Sequence, residues 1–347
     1  MTDKKSFDPR IIKPVSQPLP LIDNEQDYYL LAQSQSSNNL AKKLTSKIID
    51  PAQIDLYGNG KVETKDFRLF IRGYTELVNG INTSASKLLD GLLITATADG
   101  LNDTTVRLSL KEYMKMRGLK DERKARAQIK RDIDVLKRVS FEYVGQGKAK
   151  GNWLSVTLAG EVSGIINSII IFQFGSSFYN SLKINENKSP LFMYFPKEAL
   201  RLNDNAHPYS YFFARKIAAH KRMNIGKPNE DIIGVSTLID ACASFPSYND
   251  VKRLGGHIAQ RMLDPFERDM DALSDAFIWE YAGNQPSTYQ EFIESNVHII
   301  WGNYPDTTKL EEGKAKRKQR AAQQKNQSKK ILELQLKIEE LEKEAGI

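Results

Sequence analysis

Arg123, Lys124, Lys130, Arg131 and Arg138 recur on one side of a stretch whose other side carries Ile129, Ile133 and Leu136. At about 100° per residue this is a helix with an apolar stripe behind and cations in front. Such a face can neutralise a row of phosphates, releasing their condensed counterions. Arginine adds a planar fork that meets guanine O6 and N7 through two parallel hydrogen bonds. A charge run on a helix is ordinarily a solvated face, but here it is mainly of one sign. The nearby Gly145–Asn152 stretch, rich in glycine, adds Lys148 and Lys150.

A second stretch repeats the arrangement. Ala259, Leu263, Phe266, Met270 and Leu273 form an apolar stripe, with His257, Arg261, Asp264 and Arg268 outward and Gln260 beside them. Arginine and glutamine read guanine and adenine edges, so Arg261 and Gln260 are candidates for base contacts, with Lys252 and Arg253 on phosphates. Asp264 and Asp271 would repel a phosphate backbone, which directs the base contacts toward the N-terminal end. Pro265 fits the first turn of a fresh helical segment capped by Asp264, so this helix is expected to be kinked or split.

Other chemistry has no support. Gly58-Asn59-Gly60-Lys61 and Gly145-Gln146-Gly147-Lys148 lack the spacing of a phosphate-binding nucleotide loop. No two histidines stand one residue apart, as a metal-binding pair in a nicking enzyme requires, and no His/Cys/Asp cluster has zinc spacing. His207, before Pro208 at a helix start, reads as a cap or surface residue, His298 as structural, and His220 as a weak phosphate candidate. The reading is non-enzymatic, with no metal or cofactor.

The elements that must position these cations are marked by a phrase that occurs twice. Arg131-Asp132-Ile133-Asp134-Val135-Leu136 precedes Phe141-Glu142-Tyr143, and Arg268-Asp269-Met270-Asp271-Ala272-Leu273 precedes Trp279-Glu280-Tyr281. Each phrase reads as the end of a long helix running into a strand, with a shorter helix upstream at Leu110–Met116 and Val235–Cys242. Helix, helix, then a strand that opens a hairpin is the order of a winged-helix unit. In the first unit Phe141–Val144 and Trp153–Leu158 are the expected wing strands, and Ile165–Phe174 is expected to help join the halves. In the second, a small helix over Tyr289–Glu294 replaces the wing, and Asn296–Trp301 is a strand.

The expected fold is therefore α+β, mainly helical, with two tandem winged-helix domains. Residues 1–50 read as a disordered, flexible segment with a short helix near Ala41–Ile48. Residues 51–190 read as the first domain with an N-terminal hairpin around Gly58-Asn59-Gly60, and 191–306 as the second. Residues 307–347 read as a basic helical tail. There Ile331, Leu334, Ile338, Leu341 and Ala345 make a short heptad seam, either a solvent-exposed helix or a weak self-association helix.

Composition sets the bounds. The chain has 347 residues, 40% of them hydrophobic, enough for about two domains with real cores. Formal charge is +7, a modest pointer to a polyanionic partner. The single cysteine, Cys242, excludes an internal disulfide framework and reads as a buried thiol. No apolar run is long enough for a membrane span, and the N-terminus has no apolar signal core, so the expected location is cytoplasmic.

Three stretches carry a resemblance: Val235-Ser236-Thr237-Leu238-Ile239-Asp240-Ala241-Cys242, then Phe245-Pro246-Ser247-Tyr248, then Arg261-Met262-Leu263-Asp264-Pro265-Phe266-Glu267-Arg268-Asp269. With the closing segment Tyr289–Trp301 and Tyr304-Pro305, the chain resembles plasmid replication initiators of the iteron-binding class, in particular those of Gram-positive plasmids and related mobile elements. The resemblance covers about Leu88–Pro305. It implies binding to direct repeats in an origin, local strand opening, recruitment of a host initiator or replicative helicase, and dimers that repress their own promoter. It places DNA contact on Arg123–Arg131, which adds Arg126, and on His257–Arg268.

Two other readings stay open at this level. A transcriptional repressor or partition-type DNA binder would require an operator palindrome and an obligate dimer. A scaffold whose winged helices mediate protein contacts would show little DNA affinity and no steep salt dependence.

Overall fold

The computed structural model describes residues 27–34, 37–38, 40, 54–65, 67–77, 83–144, 151–183 and 191–305. The basic tail with its heptads, the 41–48 helix, and Lys148 and Lys150 lie outside them.

The described residues form a mixed fold of helices and antiparallel sheets. The first half is built on α1 (Thr83–Ala98), a helix buried on nearly every side, as a central core helix must be. β4 (Thr105–Ser109), α2 (Leu110–Arg117) and α3 (Glu122–Lys137) come next. Gly118, in the left-handed region at φ 63, closes α2; a residue without a Cβ takes that conformation at little cost. After an inserted hairpin, β7 (Ala159–Ile166) and β8 (Ile169–Phe174) close a three-stranded sheet of order β4–β8–β7. The β7–β8 turn is Asn167-Ser168, both at positive φ (49° and 62°), a two-residue reversal whose twist suits the strands it joins.

α4 (Ser176–Lys183) and α5 (Lys197–Arg201) lead into the second half, which runs through the same order. α6 (Ser210–Asn224) leads to β10 (Ile232–Gly234), α7 (Val235–Ala241), α8 (Tyr248–Arg253), a π-helical turn (Ala259–Leu263) and α9 (Asp264–Asp271). β11 (Phe277–Tyr281), α10 (Tyr289–Glu294) and β12 (Asn296–Trp301) complete it, in a sheet of order β10–β12–β11. In both halves the last strand lies in the middle of its sheet, beside the strand that comes after the first helix. α10 stands between β11 and β12, where a small helix was expected, fastened by a capping box from Thr288 and Glu291.

Several expectations are corrected. The hairpin expected around Gly58-Asn59-Gly60 reverses instead between Thr64 and Phe67. β5 (Val139–Val144) and β6 (Trp153–Thr157), read as the wing strands of the first unit, belong to a separate sheet with β2 (Gly60–Thr64) and β3 (Phe67–Ile71), of order β2–β3–β5–β6. Their inward residues Phe67, Leu69, Phe141 and Val156 form that sheet's own apolar face. Ile165–Phe174, read as a buried strand or short helix that helps join the halves, is a strand but not a connection: it supplies β8, whose near-continuous apolar sequence suits a central strand flanked on both sides.

The expectation of flexibility fails for part of the N-terminal segment. β1 (Tyr28–Gln33) pairs with β9 (Leu191–Pro196), buries Tyr28, Leu31 and Ala32, and donates the Tyr28 hydroxyl to the Ala276 carbonyl at 2.6 Å.

The second long helix is interrupted twice. Gly255, Gly256 and His257, at φ 95°, 81° and 58°, separate α8 from the π turn. That turn precedes Pro265, whose ring displaces the carbonyl one turn back and whose missing N–H leaves it unbonded. Asp264 is not a cap, because the helical backbone runs straight through it (φ −57, ψ −44). The wider turn also shifts the stripe, so that Met262 is buried and Ala259 exposed.

Buried charges join the halves. Lys87 in α1 pairs with Asp204 at 2.6 Å and donates to the Leu202 carbonyl, and burial pulls its ammonium pKa down to about 8. Arg117 donates to the Leu200 carbonyl, to Tyr113 and to Asp204. Arg215 in α6 pairs with Asp90 in α1, which also accepts the Tyr211 hydroxyl at 2.7 Å. These charges are paired across the junction, so removing one partner would strand a buried ion.

Candidate nucleic-acid interface

α3 starts at Asp121, whose carboxylate accepts the Lys124 amide at 3.0 Å. An aspartate there satisfies a free donor and suits the positive end of the helix dipole. Ala125, Ile129, Ile133, Val135 and Leu136 turn inward. Arg123, Lys124, Lys130 and Arg131 are exposed, and Arg126 is half-buried. Arg126 bonds Glu122 at 2.7 Å and the Ser168 hydroxyl at 2.6 Å, which brings the β7–β8 turn against the N-terminal part of this face. Arg131 donates to Gln128, and Lys124 lies 3.8 Å from Asp121. Among the described residues the Arg123 and Lys130 side chains have no ion pair. Both stay available to a ligand.

In the second half Lys252, Arg253, His257, Gln260, Arg261 and Arg268 are all exposed. They divide into two kinds. Arg253 pairs loosely with Asp250 at 3.2 Å, an exposed contact of little energetic weight. Arg268 is committed inside the protein: its Nε and Nη2 donate to the buried Asp269 carboxylate at 2.9 and 2.7 Å. Gln260 and Arg261 sit in the π turn, and His257 holds the left-handed conformation just before it. Among the described residues Arg261 has no ion pair.

Sequence reasoning missed the partners behind these faces. Asp132 is buried, accepts from Ser84 at 2.6 Å and Gln128 at 2.7 Å, and is pushed up to about 6 by desolvation. Asp269 accepts the amides of Tyr209 and Ser210. The repeated phrase contained both aspartates, but an acid in an amphipathic helix gives no sign that it points inward. His207 and His298 make only side contacts, 3.9 Å from Asp269 and 3.2 Å from Glu280. The His220 ring meets the Asn229 carbonyl at 3.0 Å. Among the described residues no group of three His, Cys, Asp or Glu side chains could hold a metal ion, and no helix is long and apolar enough to cross a membrane.

No family model and no curated protein matches the chain. Among solved structures it is similar to domains 2 and 3 of RctB. A crystal structure of selenomethionine derivatives of those domains gives a TM-score of 0.45 at 13% identity, covering 76% of this chain and 98% of that one. A second crystal structure of RctB domains 2–3 gives a TM-score of 0.38 at 13% identity, covering 77% and 97%.

Proposed function

We propose that the protein is a sequence-specific double-stranded DNA-binding replication initiator, built on two winged-helix units and without catalytic activity of its own. Its sites are direct repeats in an origin, and its further partners are a host initiator or replicative helicase, with self-association as a dimer. One observation carries this reading: two halves of the same strand and helix order each present a cationic outer face, the first on α3 and the second across α8 and the π turn. The first face is Arg123, Lys124, Lys130 and Arg131. The second is Lys252, Arg253, His257, Gln260 and Arg261. A helix with core behind and cations in front can lie in a major groove, while neighbouring cations fix its register on phosphates.

Footprinting on the DNA around its own coding region tests the proposal. The expected result is protection of short direct repeats that depends on both halves. Equal affinity for random duplex would overturn sequence-specific recognition. Protection of one palindrome by an obligate dimer would favour a repressor.

A further inference from the structure

The sheet β2–β3–β5–β6 is an insertion that the strand and helix order shared by the two halves does not include. At its edge the turn 55–59 holds Leu56 fully exposed and Tyr57 87% exposed. Single exposed apolar side chains are ordinary. Here two large ones stand together on backbone that is held by a dense set of hydrogen bonds. The Asp55 carboxylate accepts from the Tyr57 amide (2.8 Å), the Asn59 amide (2.9 Å) and the Asn59 side chain (3.0 Å). The Gly58 amide donates to the Asp55 carbonyl, the Asp55 amide to the Asn59 carbonyl, and the Thr75 amide to the Gly58 carbonyl. Gly58 is at φ +74, and a Cβ there would lie 2.2 Å from Thr75 Oγ1, so only glycine fits.

The turn is also tied to α3. The Asn59 side chain accepts the Gly73 amide at 2.9 Å. Arg138, which caps α3, donates to the Gly73 carbonyl and to Glu76, and its own carbonyl accepts the Arg72 amide. The exposed pair is thus carried rigidly by the C-terminal end of the helix that presents Arg123 and Lys130.

Charge around the turn selects the partner. Of the nearby acids, Glu63 is paired with Lys61 and Arg68 and Glu76 with Arg138, while Asp55 is held by neutral donors within its own turn and keeps its charge. Arg72 and Lys137 are exposed, with no ion pair among the described residues. The surroundings of Leu56 and Tyr57 therefore favour a polyanion over an acidic or neutral protein surface.

We propose that Leu56 and Tyr57 form an apolar wedge that inserts between base pairs of the duplex beside the stretch contacted by α3. This rests on the DNA-binding reading above. Wedges of this kind unstack a base step and kink the duplex, and the cost is offset by contacts the bend allows.

The test uses the full chain and a duplex it selects from a random pool, with 2-aminopurine placed singly at each step across and beside the protected stretch. Insertion is expected to raise fluorescence at one flanking step. Leu56→Ser with Tyr57→Ser should abolish that rise while affinity falls by no more than about tenfold, and Tyr57→Trp should keep it. If the full chain binds its duplex and no step responds, or if the double serine variant responds as the original does, the wedge is wrong and DNA binding stands. A double serine variant that keeps its DNA response but loses binding to another protein would likewise overturn the wedge. If no duplex is selected at all, the DNA reading fails and the wedge fails with it.

Discussion

Asp132 and Asp269 hold the same place in the two halves. Each is buried in the second long helix and fastens the start of that half's first helix: Asp132 through the Ser84 hydroxyl at 2.6 Å, Asp269 through the Tyr209 and Ser210 amides at 2.6 and 3.1 Å. Ser210 returns a bond from its hydroxyl to the Asp269 carbonyl at 2.8 Å. The repeated Arg-Asp phrase thus has a structural cause. Each helix that presents cations outward is braced from behind by an acid that ties down the first helix.

Asp269→Ala should be the more damaging of the two truncations. It would leave two amides at the start of α6 without their acceptor and Arg268 without its partner. Unpaired buried donors of this kind cost about 3–5 kcal/mol together, read as a lower urea midpoint. Asp269→Asn keeps one acceptor oxygen and should lose less. If the alanine variant matched the original midpoint, the brace would be incidental.

Asp132 makes stability depend on pH. Desolvation raises its pKa to about 6 in the folded protein, against about 3.9 for an unfolded aspartate. Between these values the folded state holds the proton more tightly, so stability falls as pH rises from about 4 to about 6. The change is on the order of 2–3 kcal/mol. Asp132→Asn should flatten that part of a urea-midpoint profile measured against pH. An unchanged slope would place the titration elsewhere.

How much of this was legible depends on which signals are local. α3, with Ile129, Ile133 and Leu136 inward and Arg123 and Lys130 outward, could be read from a 3.6-residue period. The small helix Tyr289–Glu294 was also expected, and Thr288 and Glu291 form its capping box. Strand partners were not. Phe141–Val144 and Ile169–Phe174 both look like strands, and nothing in either names the sheet it joins. The burial of Tyr28, Leu31 and Ala32 depends on β9, about 160 residues further along the chain, so a polar, proline-rich neighbourhood hid it. In the second long helix Pro265 marked an irregularity but not its form: the helix continues through Asp264, the chain separates at Gly255–His257, and the π turn, with the exchange of Ala259 for Met262 in the core, comes from backbone geometry that a fixed period cannot express.

Arg261 and Arg268 are seven residues apart and both exposed, yet they should behave oppositely. Arg268 is bound to Asp269, whereas Arg261 has no ion pair among the described residues. Arg261→Ala should cost about 1–3 kcal/mol on the cognate duplex and relax specificity, with the urea midpoint unchanged. Arg268→Ala should lower the midpoint and leave the affinity of folded protein nearly unaltered. Equal loss by Arg261→Ala on cognate and random DNA would show that Arg261 reads no base.

Arg123 and Lys130 should contribute through phosphates rather than bases. Both stand on the exposed face of α3, one on each side of Ala127. Each phosphate neutralised adds about 0.9 to the slope of log affinity against log salt on duplex DNA. Arg123→Ala with Lys130→Ala should therefore reduce the slope by about 2 and weaken cognate and random duplexes alike. Titrations at several salt concentrations, monitored by fluorescence anisotropy, separate the cases. A slope equal to that of the original protein, with affinity lost on the cognate site alone, would mean that this face reads sequence. Retention of both slope and affinity would mean that DNA does not lie along α3 at all.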